Sequence, residues 1–166
     1  MESAGFYESS WDPCLRAVVA SVGSAQVAED LVAEAFARAW GSWRKVSRHP
    51  APRAWVVRTA LNVGVASWRR RGRELPLADA DAAVPAHLGD GMDATVLRAL
   101  RRLPARQREV IALRILLDLD TETTAKQLGI APGTVMSHLF RAAATLRNEL
   151  AVTETMEDDP CTKTKK

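Results

Sequence analysis

The sequence predicts an all-α protein of two small helical modules joined by a flexible acidic linker, and three observations carry that expectation. Apolar residues recur at three- and four-residue intervals through most of the chain, the spacing that turns one face of a helix toward a core. The period lapses over "ELPLADADAAVPAHLGDGM", which contains two Pro and two Gly among several Ala. Near residue 129 a Gly-containing turn joins two helical stretches in the manner of a helix-turn-helix.

The elements follow in chain order. "WDPCLRAVVASVG" reads as a helix ended by Gly23. From Ser24 to Trp43 the residues Leu31, Val32, Ala35, Phe36, Ala39, Trp40 and Trp43 form one apolar face. Asp30, Glu34 and Arg38 share another face, where Glu34 and Arg38 are spaced for an ion pair contributing only about 0.3 to 0.5 kcal/mol when exposed. "SRHPAP" is a loop, because each Pro disfavours helix at the residue before it. From Arg53 to Arg71 the helical period resumes, with Trp55, Val56, Thr59, Ala60 and Val63 inward and Arg58 and Asn62 facing elsewhere. Three helices around an aromatic core thus make a first module, residues 1–71.

Residues 72–92 form the linker, which holds one Arg against one Glu and three Asp. The second module, 93–150, is a four-helix unit. "DATVLRALRRL" opens it, Pro104 starts the next helix over "ARQREVIALRILL", and Thr121 caps a short helix that Gly129 breaks. Pro132 starts the last helix, which is expected to run to about Leu150 and to bury Val135, Leu139 and Leu146. The polar tail 151–166 is expected to be disordered.

Composition excludes several classes. With 47% hydrophobic and 26% charged residues, the chain is not disordered throughout. Cys14 and Cys161 lie far apart without the spacing of a disulfide framework or a zinc site. No apolar run reaches the roughly 18 residues of a membrane span, and the first residues lack the blocks of a signal peptide, so cytoplasmic residence without membrane insertion is expected. His49, His87 and His138 match no catalytic motif, so neither enzyme chemistry nor a cofactor or metal is expected. "RRRGR" at 69–73 is either a solvated helix end or a phosphate-neutralising cluster.

Four stretches in order, "AEDLVAEAFARAW", "PRAWVVRTALN", "LPARQREVIALR" and "LGIAPGTVMSHLFRA", resemble bacterial RNA polymerase sigma factors of the extracytoplasmic-function (ECF) group. The resemblance covers about Trp11 to Leu150. It implies two partners, RNA polymerase core and promoter DNA, and leaves an anti-sigma factor as a candidate that no residue demonstrates. Asp30 and Glu34 match the core-docking surface, whereas Phe36 fits the apolar core better. Arg53, Arg58, Asn62, Arg69 and Arg70 match the part that grips and melts the minus-10 element. Melting requires a pocket for an unstacked base and cations along the backbone, not hydrolysis.

The loop Ser47 to Pro52 corresponds in place to the base-capturing loop of the family, or is a plain interhelical turn. Trp55 and Trp68 are either stacking platforms or core. The linker is similar to the segment that threads the polymerase cleft, or is a spacer. Gly133, Thr134, Met136, Ser137, His138, Phe140 and Arg141 match the minus-35 recognition helix. The chain departs from the family pattern at Ala33, Ala66 and Met136; at the last, the family usually carries Lys or Arg. One residue removed from Val135 on a helix, Met136 is expected to project about 100° away from the buried stripe. The rival reading is a helix-turn-helix regulator acting without polymerase, which leaves the first module without a purpose.

Overall fold

The first helix, α1, covers Ser3–Val22 and ends where Gly23 turns left-handed, at φ 76°, its amide donating to Val19 O at 2.7 Å. It begins well before the Trp11 expected from sequence and carries Pro13 inside it. This computed structural model describes the backbone of residues 2–70 and 92–157, with side chains over 2–67 and 92–152. Within those residues the elements are α2 (Ala25–Gly41), the single turn α3 (Trp43–Val46), α4 (Pro52–Arg70), α5 (Ala94–Arg101), α6 (Ala105–Ile111), α7 (Thr121–Leu128) and α8 (Pro132–Glu157). No strand occurs among the described residues, in keeping with an all-α chain.

Ser24 caps α2, its hydroxyl accepting from the Val27 amide at 3.4 Å. Leu31, Val32, Ala35, Phe36 and Ala39 are buried as expected, but Trp40 is 64% exposed. At 100° per residue Trp40 lies past the edge of the stripe centred on Leu31, Ala35 and Ala39, beyond the cover that α1 supplies. Trp43 belongs to the separate turn α3 and packs on Phe6 with ring centres 5.3 Å apart.

In α4 the buried stripe is turned from the expected one. Ala54, Val56, Val57 and Ala60 are buried, while Trp55 and Val63 are only half-buried. Gly64 lies on this stripe against α2, where an added Cβ would stand 3.1 Å from Leu31 Cδ1. The absence of a side chain at Gly64 thus lets the two helices approach closely at this point. The core reading of Phe36 holds, since its ring stacks edge-on against Tyr7 at 5.0 Å and lies 5.7 Å from Trp11.

Met92, the last residue of the expected linker, is buried. Asp93 caps α5 by accepting from the Thr95 amide at 3.1 Å. The apolar period of "ARQREVIALRILL" is not one α-helix; after α6 it widens into a π-turn at Ala112–Leu116, where Leu117 N–H donates to Ala112 O at 3.1 Å. The cap of α7 is Asp120 rather than Thr121. Its Oδ1 accepts from the Thr123 amide at 2.7 Å and its Oδ2 from the Thr123 hydroxyl at 2.8 Å, which leaves Thr121 as the first helical residue.

Gly129, at φ 65°, ends α7 and opens the turn to α8. Val135 and Ala142 are fully buried in α8, with Leu139 and Leu146 half-buried against the core. Each fully buried Leu or Val side chain, such as Leu97, Leu103, Leu113 and Val135, contributes about 1.5 to 3 kcal/mol relative to exposure. The helix passes Leu150 and runs to Glu157, so residues 151–157 are not the disordered tail expected. The rest of that tail, the linker 72–91 and the side chains of Trp68, Arg69 and Arg70 lie outside the described residues.

The two modules pack directly on one another. Arg108 Nε–H donates to Ser21 O at 2.9 Å and Arg101 Nε–H to Gly23 O at 2.8 Å, both guanidiniums being buried at the end of α1.

Candidate nucleic-acid interface

α8 positions its first turns through one stripe. Val135 and Ala142 lock it against the module, and at 100° per residue Gly133, Met136, Ser137 and Phe140 then project from the opposite side. Phe140 is 78% and Met136 50% exposed, so the expected exposure of Met136 is what the fold produces. Arg141 and Thr134 are exposed beside them. The Met136 sulfur accepts from the Thr121 hydroxyl at 3.6 Å, and the Ser137 hydroxyl donates to Gly133 O at 3.0 Å within its own helix.

His138 differs from these residues. It flanks the buried stripe, half-buried, with Nδ1 enclosed and without a partner.

On α4, Asn62 is exposed and Arg58 half-buried. Arg53 is not a free cation: its Nε–H donates to Ser10 Oγ at 3.1 Å and its terminal NH2 to Ser9 O at 3.0 Å. The loop before α4 is set by His49, whose Nδ1 accepts from the Ala51 amide at 3.0 Å, which fixes the proton of the neutral ring on Nε2. Sequence reasoning gave His49 no role.

On α2, Asp30 and Glu34 lie one turn apart on the exposed face, and Arg38 Nε donates to Glu34 Oε1 at 2.8 Å. Ala33 and Ala37, small residues to one side of them on the helix, open onto a groove of about 400 Å³ that is walled by Tyr7, Trp11, Phe36 and Trp40. An apolar groove therefore adjoins the acidic face. Sequence reasoning missed it because Tyr7 lay outside the expected first helix and Trp40 was assigned to the core.

A helix-turn-helix with an uncovered recognition face, joined to a module bearing separate acidic and polar faces, defines a DNA-binding transcription factor. Comparison with known proteins gives the family: residues 11–74 match Sigma-70 region 2 and residues 93–146 match Sigma-70, region 4. The chain is 32% identical over 156 residues to the RNA polymerase sigma-E factor of Streptomyces coelicolor, covering 90% of this chain and 86% of that one. It is 32% identical over 143 residues to the ECF RNA polymerase sigma factor SigL of Mycobacterium tuberculosis, covering 79% and 80%. Among solved structures it is similar to the sigma factor RpoE of Bartonella quintana, in complex with the anti-sigma factor NepR, with a TM-score of 0.67 at 28% identity over 84% of this chain and 90% of that one. The chain belongs to the sigma-70 family of RNA polymerase sigma factors, in the ECF group.

Proposed function

We propose that Asp30, Glu34 and the adjoining groove dock on core polymerase, that α4 and the loop before it take the minus-10 element, and that α8 takes the minus-35 element. The observation that carries this reading is the face of α8, where Phe140 and Met136 stand exposed opposite fully buried Val135 and Ala142. Nothing in the described fold covers that face, and its width suits a major groove. In the first module, Arg58 and Asn62 supply polar contacts for a backbone or a flipped base. Arg69 and Arg70 extend this set by their place in the sequence.

Binding is the whole of this protein's part; bond formation belongs to the polymerase. Its place of action is the cytoplasm, and among the described residues no helix is long and apolar enough to cross a membrane. The complex of the Bartonella relative with NepR supports an anti-sigma factor as a further partner for this chain.

Transcription in vitro with purified core polymerase and a library of promoter fragments tests the reading. Initiation confined to a subset of fragments, and only when the chain is present, is the expected result. Sequence-specific duplex binding without polymerase, and no initiation with it, would instead establish an independent helix-turn-helix regulator.

A further inference from the structure

Of the two methionines whose side chains are described, Met92 is only 7% exposed and Met136 is 50% exposed. Oxidation of a thioether follows access to its sulfur, so the fold shields the first and presents the second. The Cys14 thiol is fully buried and does not compete for an oxidant at the surface.

Position gives the exposed sulfur its consequence. Met136 and Phe140 stand exposed on α8 opposite fully buried Val135 and Ala142. A thioether there packs on a thymine methyl and makes no bond to phosphate. Contact of that kind depends on the side chain staying apolar. One added oxygen makes the same side chain polar.

A hydrogen-bond donor already stands beside the sulfur. Thr121, the first residue of α7, donates its hydroxyl to Met136 Sδ at 3.6 Å, so the two helices of the helix-turn-helix are bridged through that atom. Sulfur is a weak acceptor. A sulfoxide oxygen is a strong one, and its bond to Thr121 draws the side chain toward α7 and away from a bound groove.

We propose that Met136 is an oxidation site, at which peroxide weakens the hold of α8 on duplex DNA by converting the thioether to a sulfoxide. The proposal rests on the assignment of α8 to the minus-35 element. In the reaction a sulfur lone pair attacks one oxygen of hydrogen peroxide. The S–O bond forms as the O–O bond breaks, and the departing hydroxide takes the proton left on the transferred oxygen and leaves as water. Sulfur gives up two electrons, and one peroxide is reduced for each sulfoxide formed. Methionine sulfoxide reductase returns the thioether, so the change is reversible.

The test uses the full chain carrying Cys161→Ser, and the same chain with Met136→Leu, which keeps an apolar side chain without the sulfur. Each is treated with hydrogen peroxide, mapped by peptide mass spectrometry and followed for helical content by circular dichroism. The probes are a duplex enriched from a randomised pool by the untreated chain and its copy with uracil for thymine, which removes only the methyl groups. Each chain is compared with itself before and after treatment, so the starting affinity of Met136→Leu does not enter.

The untreated Met136 chain is expected to favour the thymine duplex by about fourfold for each methyl in contact. On treatment Met136 should gain one oxygen before Met92 does, the thymine preference should fall, and the reductase should restore it. Met136→Leu should not respond to treatment, although oxidation elsewhere is common to both chains. Met136→Gln, polar without any oxidant, should resemble the treated chain, and it decides alone if oxidation costs helical content.

Oxidation of Met92 ahead of Met136, a thymine preference that survives oxidation of Met136, or an equal response in Met136→Leu would each overturn the proposal. Arg141→Ala separates it from the assignment beneath it. If that variant weakens duplex binding and oxidation does not, α8 keeps its DNA-binding part and Met136 is no oxidation switch. If neither changes binding, the assignment of α8 itself fails.

Discussion

The guanidinium of Arg53 takes the place of the amide hydrogen that Pro13 lacks. Within α1 Pro13 cannot donate to the carbonyl four residues back, and that carbonyl, Ser9 O, accepts from Arg53 at 3.0 Å instead. The same side chain donates to Ser10 Oγ, and the Cys14 thiol donates to Arg53 O at 3.8 Å. The first turn of α4 is thereby tied to the middle of α1. Arg53→Ala is expected to lower unfolding free energy by about 1 to 2 kcal/mol, with a smaller loss in a Pro13→Ala background that restores the amide to Ser9. Urea denaturation of the four chains in the cycle measures this, and strict additivity would refute the link.

Cys14 sits behind the same tie. Burial pushes its thiol up to about 12, with the Arg53 charge opposing the rise. Since the thiolate is the nucleophile, the folded protein should resist alkylation at neutral pH. In a Cys161→Ser chain, where Cys14 is the remaining thiol, labelling is expected only as fast as the protein opens. Stoichiometric labelling before unfolding would contradict the burial of this side chain.

Asp120 supplies a pH test. The Thr123 amide first, then the Thr123 hydroxyl, hold its carboxyl below the ordinary value of 3.8. A depressed folded pKa stabilises the protein above the unfolded value, and the stabilisation is lost as pH falls through the folded one. Asn at this position still accepts from the Thr123 amide but does not titrate there. Melting temperatures of wild type and Asp120→Asn should therefore converge as pH falls below 3.8. Curves that stay parallel would show that the carboxylate contributes nothing to the cap.

Long apolar periods, prolines and glycines made most of the fold legible in the sequence. The Gly23 and Gly129 caps and the stripe of α8 are local consequences of φ preference and periodicity. What periodicity could not show was how much of each face its neighbours cover. Trp40 continues the pattern of α2 yet is exposed, and the stripe of α4 includes Gly64, whose lack of a side chain sets its approach to Leu31. Arg101 and Arg108 were invisible as junction residues, since a buried Arg in sequence looks like a solvated one. Asp120 lost the cap to Thr121 in the sequence reading although both residue types cap helices; only the reach of its carboxylate to Thr123 separates them.

The acidic face of α2 makes a separable prediction. Asp30 and Glu34 are exposed, and Glu34 is held by Arg38 in an ion pair that contributes little to stability. Asp30→Arg combined with Glu34→Arg should leave the melting temperature nearly unchanged. Core-polymerase binding should fall by tenfold or more, about 1.4 kcal/mol, through like-charge or lost-charge contacts. Pull-down with purified core and thermal denaturation on the same sample measure both. Wild-type core binding by a folded double variant would sink the docking assignment.

Met136 places an apolar, half-exposed side chain where the family usually puts a cation. A thioether neither neutralises a phosphate nor bonds guanine bidentately, so α8 is expected to read through thymine methyl contacts from Met136 and Phe140 and through Thr134, Ser137 and Arg141. Its Met136 sulfur also accepts the Thr121 hydroxyl at 3.6 Å, a weak bond that costs little to lose at a surface. Met136→Arg should therefore keep the fold, tighten duplex binding across many sequences and steepen its salt dependence by up to about one ion. Arg141→Ala should weaken the same binding by roughly 1 to 3 kcal/mol. Affinity measured against salt on the full chain, with melting temperature in parallel, reads both variants. An unchanged slope in Met136→Arg together with a marked loss of stability would place Met136 among the packing residues of the α7–α8 contact and not on the DNA face.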